Sequence, residues 1–428
     1  MNILITLIKK LLSSLICQFE EYFKRFRKKN FADRKEGTMK TYIQLFVLFL
    51  LSMQAFASEP DVLQSFVEAN KKFTADVYRE INKHNHGNVL ICPLSAEIIL
   101  GLVRFGAKGN TAKELALHLH NNDNDTKKMF VELNKNLNAN DKYILSNANN
   151  VFLDNKYVIR DEFKSIAYDD FNAGVQNVDF SKIQETVEYI NLWVENKTQQ
   201  KIKKLLSSEQ LSSNTAAVLV NSLYFHGNWV NQFDKHGTFK NTFYINEQLS
   251  AETDMMSTKT DFNYYESNEL NAQFLEMPFE GDDVTMTIVL PKTRFGLNNL
   301  ENQIFEVLLP LNYKNVEVEV VIPKFKIESN INFKPVLQSM GVKDAFTNKA
   351  DFSGISTSTP PLLIDQIIQK TFLEINEKGA TAAASTAIMF SALSLPQHRF
   401  HANHPFLYYI KHKTGGIMFI GKFVAPTN

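Results

Sequence analysis

Three histidines near the C-terminus have the spacing that comes closest to a chemical site. His398, His401 and His404 lie in the stretch HRFHANH, and a three-residue step gathers such side chains around a metal ion only on a helix. Pro396 and Pro405 flank the stretch and disfavour a helix there. We therefore predict exposed loop and strand positions, with no metal and no other cofactor.

The sequence offers no other constellation that is typical of an enzyme. It contains no GxSxG, P-loop, GxGxxG, HExxH or CxxC motif. Lys201, Lys203 and Lys204 form a short basic turn, which is more typical of solvated surface than of a polyanion site. Cys92 has apolar neighbours and precedes Pro93, which favours a small buried side chain over a reactive thiol. We expect the protein not to be an enzyme.

A stretch that is typical of a signal peptide precedes the main part of the chain. Residues 39–58 read MKTYIQLFVLFLLSMQAFAS, with a lysine, an apolar run and a small-x-small cleavage pattern. The apolar run is shorter than the roughly 20 residues that span a bilayer. We predict that residues 39–57 are removed, that residues 58–428 form one secreted domain, and that this domain has no stable membrane association.

Residues 1–38 are harder to place. They contain the basic stretch FKRFRKK after an apolar one, a pattern that fits a membrane-surface or targeting helix. The alternative is that translation starts at Met39 and that these residues are not part of the protein.

Charge and cysteine content limit the partners of the mature chain. Removing the ten basic and four acidic residues of positions 1–57 leaves 36 Lys and Arg against 42 Asp and Glu, so no nucleic-acid partner is expected. Only Cys92 remains after cleavage, which excludes an internal disulfide. Asn124 in NDT and Asn196 in NKT are glycosylation acceptors in a secreted protein.

The mature chain is predicted to be one α+β domain, because no linker or repeat interrupts it. Pro93 begins a predicted helix that ends at Gly106, and a helix over residues 333–340 stops at Gly341. Ser181 and Gln184 form a capping-box pattern before an amphipathic helix. Antiparallel hairpins are predicted from FLEMPF with VTMTIVLP, from VEVEVVIPKFKI, and from FLYYI with IMFIGKFV.

The stretch EINEKGATAAASTAIMFSALSLP, residues 374–396, has an unusual composition. None of residues 380–387 has a side chain larger than that of threonine. As a strand, both faces of this part would lack charge, proline and bulk, so it could enter between two existing strands without burying an unpaired charge. An alanine-rich helix is equally favoured by composition. The residues alone leave both alternatives open.

The same stretch resembles the hinge of the reactive-centre loop of inhibitory serpins. Four other segments, spread over the mature chain in the family's order, also resemble serpins: NVLICPLSAEIILGLVRFGAKGNTAKEL, NSLYFHGNWVNQFD, ADFSGIS and FHANHPFLYYI. The resemblance implies a serpin fold with three mostly antiparallel β-sheets, eight or nine helices and an exposed reactive-centre loop. The hinge residues it implies are Glu377, Lys378, Gly379, Ala380, Thr381, Ala382, Ala383 and Ala384.

The resemblance also implies a suicide inhibitor. Counting the family's usual distance from Glu377 places the reactive bond at Leu393–Ser394, with the bond after Phe390 as a second choice. Cleavage there would be followed by insertion of the loop into the central sheet, so the expected partner is a serine protease in a covalent acyl complex. Leucine predicts a chymotrypsin-like, elastase-like or cathepsin-G-like target for a protein expected to be a monomer.

The resemblance also implies residues that control the opening of the central sheet. Ser95, Asn221 and Gln369 resemble the shutter residues that let the central strands part, and Trp229 resembles the tryptophan at the upper end, where insertion begins. A hinge with charge or bulk would instead indicate a non-inhibitory carrier or storage serpin, which is the alternative function.

Three residues depart from the family pattern. Ala380 replaces a common threonine, and its small neutral side chain is expected to preserve inhibition. Gln369 replaces a common shutter histidine, which removes any pH dependence through that position. Cys92 replaces a usual serine nearby, with no predicted consequence.

Overall fold

The structure is a computed structural model that describes residues 62–119, 131, 142–281, 283–379, 397–414 and 416–426. Several predicted features lie outside these residues: the signal peptide, Asn124, hinge positions 380–384 and the reactive bond Leu393–Ser394.

Eight α-helices form within the described part of the chain, and two of them test the predicted boundaries. The helix predicted from Pro93 to Gly106 has these bounds, and the helix over residues 333–340 ends at Gly341, whose φ of +107° closes it in the left-handed region. Both predictions are confirmed. The helices are α1 Val62–Asn82, α2 Pro93–Gly106, α3 Gly109–Leu119, α4 Asp161–Ser165, α5 Ile183–Lys197, α6 Leu297–Asn302, α7 Ile304–Val307 and α8 Phe333–Met340.

The predicted capping box at the start of α5 is wrong. The N-cap is Lys182, without a side-chain cap, because the Ser181 hydroxyl donates to Asp179 at 2.5 Å. The hydroxyl of Thr186 secures the first turn instead, by donating to the Asp179 carbonyl at 2.7 Å. The Ser181 hydroxyl therefore bonds to a nearby carboxylate and does not cap the helix, as the sequence pattern had predicted.

The strands are β1 Val89–Ile91, β2 Tyr143–Asp154, β3 Gly174–Val178, β4 Ala217–Gly227, β5 Phe239–Tyr244, β6 Ser250–Ser267, β7 Ala272–Pro278, β8 Val284–Pro291, β9 Lys314–Pro323, β10 Phe325–Asn332, β11 Gln366–Ile375, β12 His398–His401, β13 Phe406–His412 and β14 Ile417–Phe423.

Sheet organisation confirms the predicted α+β serpin fold. One sheet has five strands in the order β10-β11-β4-β2-β3, and nine strands form a second hydrogen-bonded array. That array joins two smaller sheets through the long strand β6. Residues 263–267 of β6 pair with β7, whereas residues 250–264 pair with β5 and β9. The three expected sheets are thus present, two of them sharing one strand.

The hairpins β7–β8 and β13–β14 are antiparallel as predicted, but the segment VEVEVVIPKFKI does not form one. It divides after Pro323, so that β9 pairs with β6 and β12 while β10 pairs with β11 in the five-stranded sheet. Pro323 lacks an amide hydrogen, and the Lys324 amide still bonds to β6, donating to the Asp254 carbonyl at 2.8 Å, before the chain enters the five-stranded sheet.

Helix α5 covers one face of the five-stranded sheet. Its buried residues Val187, Ile190 and Val194 share a core with Phe152 of β2 and with residues of β4 and β11. The opposite face of this sheet lies towards α2, whose residues are almost all buried. The centre of the sheet is therefore enclosed on both faces.

Candidate functional site

The centre of the site is the boundary between β4 and β11, here called the seam. These strands are parallel neighbours, paired from Val218 with Gln366 to Tyr224 with Phe372. Three further residues of each strand lie beyond the last pair. A chain that turned back after β11 would run antiparallel to both strands, so the seam has the polarity to accept it.

The chain turns back immediately after β11. The backbone of Asn376 exchanges two hydrogen bonds with that of Gly379, at 2.9 and 3.1 Å, and the Asn376 side chain accepts from the Lys378 amide at 3.0 Å. Gly379 also forms an antiparallel bridge with Asn228, just after β4. Gly379 therefore already lies between the two strand ends and pairs with both.

Only glycine fits this position. The φ of Gly379 is +124°, a conformation that residues with a side chain rarely adopt. A Cβ atom would lie 2.2 Å from the Gly227 carbonyl oxygen and 2.7 Å from the Asn228 Cα. Both contacts are with backbone, so the upper end of the seam depends on the absence of a side chain.

Trp229 closes the upper end of the seam. Its ring is 1% exposed and stacks on Phe279 with centroids 4.2 Å apart. Its indole N–H donates to the Asn376 carbonyl at 3.1 Å, and its backbone N–H donates to the Lys378 carbonyl at 2.8 Å. The tryptophan thus holds the turn from which the predicted hinge begins.

Glu377 anchors the same turn by its side chain. Its carboxylate lies 3.0 Å from Lys324 Nζ and accepts from the Thr238 hydroxyl at 2.8 Å. Burial disfavours the charged carboxylate, but hydrogen bonds from its own backbone, Lys324 and Thr238 outweigh that cost and lower the pKa of Glu377. The predicted hinge therefore begins at a buried carboxylate that is paired with a partly exposed lysine.

Half-way along the seam, Gln369 of β11 and Asn221 of β4 lie opposite each other. Gln369 Nε2 donates to Asn221 Oδ1 at 2.6 Å. Asn221 Nδ2 in turn donates to the Ser95 carbonyl at 2.6 Å, to the Ser95 hydroxyl and to Asn149 Oδ1 at 2.6 Å. A buried polar network thus connects both central strands with α2 and β2.

Gln369 makes a second set of bonds below the sheet. Its side-chain oxygen accepts from the Cys92 amide and its nitrogen donates to the Cys92 carbonyl, both at 2.8 Å. Cys92 is fully buried at the start of α2, where burial raises the pKa of its thiol. An amide can form both bonds at once, because it carries a donor and an acceptor side by side.

The remaining sequence candidates lie away from the seam. Asn196 is exposed near the end of α5. His398 and His401 are in β12, whereas His404 is buried with its ring nitrogen 2.9 Å from the Pro291 carbonyl, and burial lowers its pKa. Among the described residues, no group of three or more His, Cys, Asp or Glu side chains could hold a metal ion.

The described helices include none that is long and apolar enough to cross a membrane.

The structure brings together hinge residues 377–379, Trp229, Gln369, Asn221 and Ser95 along one seam, and adds residues that the sequence analysis did not identify. Lys324 and Thr238 hold Glu377, and Asn149 completes the network around Asn221. These three residues are distant in sequence from their partners and belong to no motif. The packing that selects them is visible only in the folded chain.

Comparisons with known proteins agree with this geometry. The family model described as serpin, serine protease inhibitor, matches residues 68–426. Antitrypsin of Bombyx mori is 35% identical over 397 residues, which are 90% of this chain and 100% of that protein. The crystal structure of Serpin48, a highly specific serpin of Tenebrio molitor, has a TM-score of 0.81 and 38% identity, and covers 86% of this chain and 100% of its own.

A ligand-binding protein also has this fold. Human thyroxine-binding globulin, solved as a complex with thyroxine, has a TM-score of 0.78 and 25% identity, and the match covers 86% of this chain and 100% of that chain.

Proposed function

The chain belongs to the serpin family of serine protease inhibitors, and we propose that it is a secreted suicide inhibitor of chymotrypsin-like or elastase-like proteases. The observation that supports this proposal most strongly is the position of Gly379. It pairs with both strand ends at the top of a parallel seam, and residues 380–396 follow it directly.

In the proposed reaction, the protease serine attacks the Leu393 carbonyl. The bond to the Ser394 nitrogen breaks, the new amine leaves, and Leu393 remains bound to the protease as an ester. The freed chain then enters the seam from Ala380 onward, carrying the acylated protease with it. Serpins are the established example of such strand addition and of the release of stored strain.

The change in strand pairing supplies a driving force for insertion. One parallel ladder, between β4 and β11, would be replaced by two antiparallel ladders, and antiparallel pairing is slightly more stable per residue. The small, uncharged residues 380–387 add no buried charge to the two enclosed faces. These features favour an inserting loop over a rigid one.

Leu393 would fill the main specificity pocket of the target, which is why we propose chymotrypsin-like or elastase-like proteases. Secretion follows from the proposed signal peptide, residues 39–57, with glycans at Asn124 and Asn196 on a monomeric chain of residues 58–428. The exposure of Asn196 is compatible with a glycan there.

A carrier is the second candidate, favoured by the likeness to thyroxine-binding globulin. Loop insertion distinguishes the two functions, because an inserted strand stabilises the cleaved protein. Melting temperatures before and after cleavage of the loop should therefore differ strongly for an inhibitor and little for a carrier whose loop does not insert.

The decisive experiment incubates the chain of residues 58–428 with chymotrypsin and with elastase, followed by denaturing electrophoresis and intact-mass analysis. We expect a covalent complex that survives denaturation, and a released peptide that begins at Ser394. Clean cleavage of the loop by both proteases without any covalent complex would count against inhibition of these two classes.

A further inference from the structure

The lower end of the seam is closed by the carboxylate of Asp365, the residue before β11. Its Oδ2 atom accepts hydrogen bonds from the backbone amides of Ala216 at 2.6 Å and Ala217 at 3.3 Å, at the start of β4. The Asp365 amide donates in turn to the Ala217 carbonyl at 3.0 Å. These three bonds, here called the clasp, join β11 to β4 just below the first pair of their ladder.

Both sides of the clasp are fixed to other parts of the fold. On the β11 side, the amide of the buried Ile364 donates to the Ala345 carbonyl at 3.0 Å. On the β4 side, the Ala216 carbonyl accepts from the Asp154 amide of β2 at 3.0 Å. Bonds from backbone amides to a carboxylate are charge-assisted and stronger than bonds between neutral groups. The clasp therefore resists any separation of β4 from β11 at this end.

The two bridges of Gly379 define a register for a chain that enters the seam. In antiparallel pairing, each step forward in one strand is a step back in the other. Counted from the bridge with Asn228, the residue seven positions after Gly379 would lie opposite Asn221. Counted from the bridge with Asn376, the same residue would lie opposite Gln369. Asn221 and Gln369 are already partners in the seam, so the two counts agree.

Continued in this register, residues 380–389 would lie between pairs of the ladder, and residue 390 would lie between Ala217 and Asp365. An entering strand moves its neighbours apart by about 4.8 Å, and a hydrogen bond of 2.6 Å cannot survive that displacement. We propose that the clasp controls the entry of residues 390–393, with Asp365 as a positioning residue for the last stage of insertion. This inference rests on the proposed function, because it concerns the same insertion step.

The last stage of insertion decides how far the protease travels. A strand rises by about 3.4 Å per residue, so a chain stopped at residue 389 would leave the acylated Leu393 about 14 Å short of its final place. Opening of the clasp removes this stop. The carboxylate of Asp365 thus separates partial from complete insertion.

The test uses the uncleaved protein of residues 58–428 and two synthetic peptides, with the sequences of residues 380–389 and 380–393. The first would end above the clasp, and the second would extend past it. Uptake of each peptide is followed by native mass spectrometry. We expect Asp365→Ala to raise the uptake rate of the longer peptide by about five-fold or more, and to leave that of the shorter one within about two-fold of the wild-type rate.

Two further variants complete the test. Asp365→Asn keeps a side-chain oxygen for the two amides but loses the charge, so its effect on the longer peptide should be smaller. The matched control is Asp179→Ala, which also removes a carboxylate that accepts from a backbone amide, that of Ser181 at 3.0 Å. Asp179 follows the edge strand β3, away from the seam, and its loss should change neither rate.

Acceleration confined to the longer peptide, and smaller in Asp365→Asn, supports the clasp. Equal acceleration of both peptides overturns it, because Asp365 would then act on the whole sheet. Unchanged rates in both Asp365 variants, or an equal acceleration by Asp179→Ala, also overturn it while the inhibitor proposal stands. If the wild-type protein takes up neither peptide, the insertion step of the proposed function fails, and the clasp with it. Asp365→Asn keeps the test decisive if Asp365→Ala does not fold.

Discussion

Gln369 and Asn221 face each other across the two central strands, and a hydrogen bond of 2.6 Å joins their side-chain amides. Each residue is also bound below the sheet, Gln369 to the Cys92 backbone and Asn221 to Ser95. A strand that entered the seam would have to separate this pair. The amide pair therefore links the two central strands, at the positions where the family resemblance implies a shutter.

Replacing Gln369 with alanine should weaken this link. The substitution leaves the buried N–H and C=O of Cys92 and the Asn221 carbonyl oxygen without their present partner. We expect the uncleaved protein to lose about 2–4 kcal/mol of unfolding free energy, measured by urea denaturation. Gln248→Ala, at an exposed position, is the control and should change stability by less than about 0.5 kcal/mol. Equal effects of the two substitutions would contradict a role for the amide.

Gly379→Ala should disturb the top of the seam. The new methyl group would combine an unfavourable φ of +124° with a 2.2 Å approach to the Gly227 carbonyl. We expect a loss of about 2–4 kcal/mol together with a change in Trp229 fluorescence, because the Trp229–Asn376 bond depends on the same turn. Gly341→Ala is the control that separates the cost of backbone strain from the cost of the close contact. The φ there is +107°, but nothing lies within 4 Å of its Cβ position. This substitution should cost about 1 kcal/mol; a cost as large as that of Gly379→Ala would mean that the close approach is unimportant.

A buried carboxyl group in α2 should make stability depend on pH. Burial raises the pKa of Glu97 from 4.5 to about 8, although a hydrogen bond from Asn70 partly opposes the shift. Between these values the unfolded chain releases the proton that the folded chain retains, so this group's contribution to stability falls as pH rises from about 4.5 to about 8. In Glu97→Gln this contribution is absent. Between pH 5.5 and 7.5 the wild-type protein should therefore lose about 2 kcal/mol more unfolding free energy than the variant. Urea denaturation at both pH values measures this loss, and an equal loss in the two proteins would contradict the assignment.

Sequence reasoning succeeded where the signal is local. Helices α2 and α8 carry their own boundary residues, Pro93 and Gly341, and their bounds were predicted correctly. The hairpin predicted for the segment that begins at Val316 is wrong, because apolar alternation continues past Lys324 and does not reveal that the chain changes sheets there. Periodicity reports which face is buried, but it does not report the sheet to which a strand belongs.

The same limit applies to the site. Gly379 and Trp229 were identified from motifs within a few residues of each position. The partners of Glu377 were not, because Lys324 and Thr238 come from separate parts of the chain. The order of the strands brings them together, and no spacing in the sequence encodes that order. Residues 380–387 lie outside the described part of the chain, and their entry into the sheet as a strand remains a prediction.

Ala380→Arg should convert the inhibitor into a substrate. The residue after Gly379 would be the first to enter the seam, and a guanidinium group there would have to be buried between two covered faces of the sheet. We expect the cleaved fraction to rise at the expense of the covalent complex by at least about ten-fold, measured by denaturing electrophoresis at fixed protease. Ala380→Ser, small and neutral, is the matched control and should inhibit like the wild-type protein. An unchanged ratio in Ala380→Arg would rule out insertion from this position.

Leu393→Arg should move inhibition towards trypsin-like proteases. The side chain at the reactive bond enters the main pocket of the protease, and an arginine there suits a pocket that contains a carboxylate, whereas leucine suits an apolar one. We expect the variant to form covalent complexes with trypsin and to lose most of its reaction with chymotrypsin, compared by rates of complex formation. Phe390→Arg is the matched control, because Phe390 precedes the second-choice bond. If Phe390→Arg redirects inhibition while Leu393→Arg does not, the reactive bond lies after residue 390, and the mass of the released peptide identifies it independently.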